Sequence, residues 1–134
     1  MDTEQKTILY VDDDPDDLAM FRQAVAAIGA KYHIIEACDG MQGLELLMQM
    51  KQNNAFPCLI VLDINMPRMD GKQTLIAIQK DPAFASIPIV LYSTSSSLMD
   101  KTFCRLRNVE LVTKPFSFET IHKATLKLLS FCKI

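Results

Sequence analysis

Along this chain, five short apolar runs alternate with five stretches of helical periodicity. Residues 7–11 read as a first strand that stops at an acidic cluster. Over residues 15–29, Leu18, Phe21, Val25 and Ile28 recur on one face of a 3.6-residue period. Asp14, Pro15, Asp16 and Asp17 suit the start of that helix: a capping Asp, a proline in the first turn, and acids at the positive end of the dipole. Gly29 closes it. Residues 33–37 form a mixed second strand, polar enough for a sheet edge, and residues 40–51 a second helix with Leu44, Leu47 and Met48 inward. Residues 58–62 are the most continuously apolar run, the signature of a central strand buried on both faces.

Asp63 follows that run directly, and Pro67 with Asp70-Gly71 marks a loop. Leu75, Ile76 and Ile78 belong to a third helix that ends near Asp81-Pro82. Residues 88–92 make a fourth strand, succeeded by a small polar run from Ser93 to Ser97. A fourth helix carries Leu98, Phe103 and Leu106; residues 109–112 make a fifth, edge-like strand ahead of Lys114-Pro115. The last helix aligns Phe118, Ile121, Thr125, Leu128 and Cys132. Alternating βα units predict an α/β fold: a doubly wound, flavodoxin-like, five-stranded parallel sheet with helices on both faces. Polar edges and an apolar centre fit the order 2-1-3-4-5, in which ligands bind at the carboxyl ends of the strands, beside the switch point between strands 1 and 3.

With 134 residues the chain predicts a single domain, 1–134, with a core over about 7–131. Hydrophobic residues make up 49% and aromatics 7%, so aliphatic side chains must do most of the packing. A net charge of −2 offers no basic field for nucleic acid or an anionic membrane. The acidity is nonetheless uneven, with Asp12, Asp13, Asp14, Asp16 and Asp17 in close succession. Cys38, Cys58, Cys104 and Cys132 are scattered without metal-ligand spacing, and Cys58 reads as a buried thiol, which implies a reducing compartment. The polar start and the lack of any apolar run near ~20 residues predict a soluble, cytoplasmic protein.

Chemistry-bearing residues collect at strand ends: Asp12 and Asp13 after strand 1, Asp63 after strand 3, Ser93 and Thr94 at strand 4, Lys114 after strand 5. Glu36 and Asp39, near the edge strand, fall off-site. Crowded carboxylates raise one another's pKa unless a cation intervenes, and an all-oxygen acidic site suits Mg²⁺. A strand-end carboxylate beside the ion can attack phosphorus and form an aspartyl phosphate. Lys114 then supplies charge to phosphoryl oxygens, and a Ser or Thr hydroxyl donates a further hydrogen bond. Asp14, Asp16 and Asp17 read as helix-start residues without chemistry. Each remaining residue alone has a bland explanation as a cap or a solvated charge; their joint placement on a βα frame favours function.

These residues resemble the response-regulator receiver domains of two-component signalling, of the CheY-like, stand-alone type. The matching segments are residues 8–15, residues 62–71 with Asp63, Met66, Pro67, Met69, Asp70 and Gly71, residues 88–93, and Lys114-Pro115-Phe116. The resemblance implies that Asp63 is the phosphoacceptor, that Asp13 binds Mg²⁺ directly and Asp12 through water, and that the backbone carbonyl of Asn65 completes the metal site. It implies a switch hydroxyl at Ser93, a phosphate-contacting Lys114, and a cis bond before Pro115. Asn65 and Ser95 match positions that tune dephosphorylation, and Thr94, bulkier than the family's usual residue there, narrows access. Leu111 stands where many receivers carry an inward-turning aromatic. The implied partners are a histidine kinase or histidine phosphotransfer protein and a downstream protein that reads the region of strand 4, helix 4 and strand 5. Leu98, Phe103, Leu106 and Leu111 can line such a surface, although core packing is the commoner fate of such residues.

Two other readings compete. A flavin or nucleotide binder of the same fold wants a Ser/Thr/Gly-rich phosphate loop after strand 1, whereas Asp12-Asp13-Asp14-Pro15 repels phosphate without a metal. A Mg²⁺-dependent phosphohydrolase commonly carries a second acid two residues after its nucleophile, where Asn65 stands here. Both are disfavoured against a signalling switch that catalyses only its own phosphorylation and dephosphorylation.

Overall fold

The computed structural model describes residues 6–29, 31–94 and 97–132. Its elements run β1 (Lys6–Val11), α1 (Pro15–Ile28), β2 (Tyr32–Ala37), α2 (Gly40–Gln52), β3 (Leu59–Leu62), α3 (Gly71–Gln79), β4 (Ile89–Ser93), α4 (Leu98–Leu106), β5 (Glu110–Thr113) and α5 (Phe118–Ser130). A single 3-10 turn, Pro82–Phe84, precedes β4. The strands form one sheet in the order β2-β1-β3-β4-β5, every pairing parallel, as the alternation of elements predicts.

Successive strand side chains point to opposite faces, and the core divides accordingly. Leu9, Val11, Ile60, Leu62 and Leu91 meet Leu47 of α2, Leu75 and Ile78 of α3, and Cys104 of α4. Ile8, Tyr10, Leu59, Val61, Val90 and Tyr92 meet Phe21 and Val25 of α1 and Leu128 of α5. β3 is buried at all four positions, whereas β2 and β5 are mostly half-buried or exposed, as edge strands should be.

Helix starts follow their caps. Asp14 Oδ1 accepts the Asp16 N–H at 2.9 Å, with Pro15 in the first turn, and Gly29 ends α1 in the left-handed region at φ 80°. Asp39 caps α2, and Asp70 with Gln73 forms a reciprocal capping box on α3. Glycine is required at position 71, since a Cβ there would collide with the Asp63 carbonyl; α3 can therefore start directly against the end of β3.

Three expectations need correction. Met48 is 44% exposed and Met50 is buried in its stead, because α2 packs on β1 through Gly43, where a Cβ would come within 2.9 Å of Val11 Cγ2. That close approach sets the helix phase and turns Met48 outward. In α4, where the sequence leaves surface and core both open for Leu98 and Leu106, the buried positions are Asp100 and Cys104, and the two leucines lie 79% and 76% exposed. Cys58 is no free thiol: the fold brings the residue before β3 against the residues after α5, and Cys58 is disulfide-bonded to Cys132 with a Cα–Cα distance of 4.9 Å. The Lys114–Pro115 bond is trans, the form favoured by about 0.5–1 kcal/mol where packing does not impose cis. Ser95 lies outside the described residues, as does the Phe118 side chain.

Candidate functional site

Backbone hydrogen bonds hold the strand ends side by side. The Asp12 N–H donates to the Ala37 carbonyl at 3.0 Å, the Asp63 N–H to Val11 at 2.9 Å, and the Lys114 N–H to Ser93 at 2.9 Å. These continue the ladders one residue past β1, β3 and β5, so Asp12, Asp63 and Lys114 leave the sheet at one edge. Asp12 and Ser93 are fully buried, Asp63 and Lys114 nearly so, and Asp13, Asn65 and Thr94 are exposed at the rim.

Asp12, Asp13 and Asp63 each offer a carboxylate oxygen, and these atoms lie within 4.8 Å of one another. Lys114 Nζ donates to Asp12 Oδ2 and to Asp17 Oδ2, both at 2.7 Å, and stands 3.5 Å from Asp63 Oδ1. Tyr10 donates its hydroxyl to the same Asp12 Oδ2 at 2.8 Å, and the Asp14 N–H reaches Asp12 Oδ1 at 3.0 Å. Three carboxylates thus face one ammonium, with Asp13 beside two of them.

The electrostatics follow from that imbalance. Burial pushes the Asp63 carboxyl up to about 6; the Lys114 charge pulls it back in part, while Asp12 and Asp13 push it further. Burial alone would lower the Lys114 ammonium, but its hydrogen bonds to Asp12 and Asp17 hold it above its ordinary value. Burial, then the Asp12 charge, raises the Tyr10 hydroxyl far above the usual phenol, so it stays a donor. Tyr92, its ring centroid 5.8 Å from Lys114 Nζ, is pushed up to about 12, chiefly by burial. An all-oxygen donor set with excess negative charge and an Asp63 carboxyl raised by confinement fits a hard divalent cation.

Asp12, Asp13, Asp63 and Lys114 therefore come together at the strand ends, and Ser93 stands next to Lys114 through its backbone carbonyl. Glu36 and Asp39 are elsewhere, the first paired with Arg22 at 2.9 Å and the second capping α2. Leu111 is half-buried against the α2–α3–α4 core. Two participants escaped the sequence reading. Asp17, which reads as a plain helix-start acid, bonds Lys114; its position four residues before buried Phe21, on the same helical face, was the available signal. Tyr10 lies two residues before Asp12 and so on the same strand face.

Residues 8–126 match the sequence model of the response regulator receiver domain. The chain belongs to that family. Its fold is the CheY-like flavodoxin fold, and as a receiver domain of two-component systems it is a signalling switch. Protein PilG of Pseudomonas aeruginosa is 37% identical over 89 residues, which cover 66% of this chain and 62% of PilG. The phosphorylated cyanobacterial phytochrome response regulator RcpA superposes with a TM-score of 0.86 at 28% identity, over 96% of this chain and 94% of that one. The Mn²⁺-bound form of response regulator Rcp1 superposes with a TM-score of 0.80 at 27% identity, over 94% of this chain and 93% of its own. The chain spans 15%, 62% and 63% of the lengths of the first three curated relatives it matches. No helix among the described residues is long and apolar enough to cross a membrane.

Proposed function

We propose that this receiver accepts a phosphoryl group on Asp63, with Mg²⁺ present, from a histidine kinase or histidine phosphotransfer protein, and signals by protein contact. The observation that carries the reading is the approach of Asp12, Asp13 and Asp63 to within 4.8 Å beside Lys114. Asp63 is the nucleophile: its carboxylate oxygen attacks phosphorus, the bond from phosphorus to the donor's imidazole nitrogen breaks, and that nitrogen keeps the electron pair. The Asp12, Asp13 and Asp63 carboxylates, with the Asn65 carbonyl, would hold Mg²⁺, which offsets the charge of an incoming phosphoryl group. Asp63 must be ionised to attack, so burial that lifts it to about 6 still leaves it mostly ionised at neutral pH. Lys114 and the Ser93 hydroxyl then turn to the phosphoryl oxygens, and Thr94 and Ser95 with Asn65 govern how long the group persists.

The output surface lies on β4, α4 and β5, where Leu98, Met99 and Leu106 stand exposed beside half-buried Phe103 and Leu111. In this reading the whole chain is one receiver domain, with its core over about residues 7–131. We place it in the cytoplasm with the kinases that feed it; the Cys58–Cys132 bond is then the element a reducing environment would open. The test is intact-mass spectrometry after incubation with acetyl phosphate and Mg²⁺. A single phosphoryl adduct, absent without Mg²⁺ and in Asp63→Asn, supports the reading; no transfer from acetyl phosphate or from phosphorylated histidine kinases sinks it.

A further inference from the structure

An ammonium has three protons to donate. Lys114 commits two at 2.7 Å, to Asp12 and to Asp17, and stands farther from Asp63, at 3.5 Å. The two close partners differ in kind. Asp12 is fully buried and also holds Tyr10 and the Asp14 N–H, so it cannot leave. The Asp17 side chain is 28% exposed and sits in the first turn of α1, where released carboxylate meets both water and the helix dipole.

We infer that Asp17 is a positioning residue that holds Lys114 toward α1 in the resting state and competes with a phosphoryl group on Asp63 for the ammonium. The inference rests on Asp63 being the phosphoacceptor. When phosphorus bonds to Asp63 and the donor's leaving group departs with the electron pair, the new oxygens present more negative charge than the carboxylate did. Lys114 reaches them by exchanging its Asp17 contact and keeping Asp12. That exchange costs one charge-assisted hydrogen bond, so Asp17 restrains phosphorylation. The exchange is local to Lys114 and leaves Tyr10 and Asp12 where they are.

Removing any nearby acid would help an anion approach, so the control is Asp16→Asn. Asp16 is adjacent and exposed; its side chain is absent from the Lys114 cluster. Asp17→Asn, Asp17→Ala and Asp16→Asn are compared with wild type in two measurements on the whole chain. The first is the NMR signal of the Lys114 side-chain Nζ in unphosphorylated protein. It moves in both Asp17 variants and stays in place in Asp16→Asn. The second is the rate of adduct formation with acetyl phosphate and Mg²⁺. It rises about three- to tenfold in the Asp17 variants beyond any rise in Asp16→Asn, a part of one charge-assisted hydrogen bond. Equal rates in the Asp16 and Asp17 variants, or an unmoved Lys114 signal, overturn the inference. Loss of adducts from every protein, wild type included, overturns the phosphoacceptor reading instead, and the Lys114 signal still reports whether Asp17 holds the ammonium.

Discussion

Tyr10 and Asp12 share one fully buried hydrogen bond: the phenol donates to Asp12 Oδ2 at 2.8 Å from two residues back on the same strand. The bond supports a carboxylate that also anchors Lys114, so a residue of the hydrophobic core braces the polar site. Tyr10→Phe keeps the ring and its edge-on packing against Phe21 but leaves Asp12 one donor short. Lys114 still donates to that oxygen, so we expect the loss of one hydrogen bond to a charged group, about 1.5–3 kcal/mol in urea denaturation. An unchanged midpoint would mean that water replaces the hydroxyl.

Asp63 sets a pH dependence whose sign is the reverse of a salt-bridged carboxylate. Its folded value, about 6, lies above the unfolded one, so the native state binds more protons in the window between about 4 and 6. Stability contributed by this group therefore falls as pH rises through that window. In metal-free buffer Asp63→Asn should be the more stable protein at pH 7, by on the order of 1 kcal/mol once solvent screening at the open side of the site is allowed for. The gain should vanish near pH 4. Thermal melts across pH 4–8 check it, and a variant advantage that persists at pH 4 would refute this account.

The same excess of charge predicts metal-linked stability. Adding Mg²⁺ should raise the melting temperature of the wild type and barely change Asp63→Asn, since the ion binds only the assembled carboxylates. Asp13 is exposed at the rim, so Asp13→Asn should fold normally. It should still bind Mg²⁺ about tenfold or more weakly by calorimetric titration, through loss of one anionic ligand. Equal affinity in Asp13→Asn and wild type would remove Asp13 from the metal site.

The sequence carried the sheet order and the meeting of Asp12, Asp63, Ser93 and Lys114, because both depend only on short-range periodicity and on where strands stop. Contacts chosen across the fold were less legible. Nothing local says that Lys114 prefers Asp17, 97 residues away, to Asp63, which is closer in sequence. Helix phase was similarly hidden. Met48 and Met50 are equivalent hydrophobes in a sequence, and only the Gly43 approach to Val11 decides which is buried. The sequence leaves surface and core both open for the α4 leucines, and Asp100, paired with Lys72 at 2.6 Å, takes the inward position that its charge argues against.

The Cys58–Cys132 bond joins the entrance of β3 to the chain just past α5, 74 residues away in sequence. A cross-link over a loop of that length restricts the unfolded chain, and the chain-entropy model allots it about 4 kcal/mol, with native disulfides commonly worth 2–5. It lies beyond the end of α5 and before the start of β3, whereas Asp63 follows the end of β3, so the acidic cluster is at the opposite edge of the sheet. Reduction should therefore weaken the fold without disabling the site. We expect dithiothreitol or Cys132→Ser to lower the urea midpoint by an amount equivalent to about 2–4 kcal/mol. Adduct formation with acetyl phosphate should stay within about twofold of the oxidised protein under native conditions, because a site that remains folded sees the same carboxylates and the same ammonium. A reduced protein of equal stability would show that the two sulfurs are not bonded in solution. A stable reduced protein that no longer forms the adduct would instead couple the disulfide to the acidic cluster across the sheet.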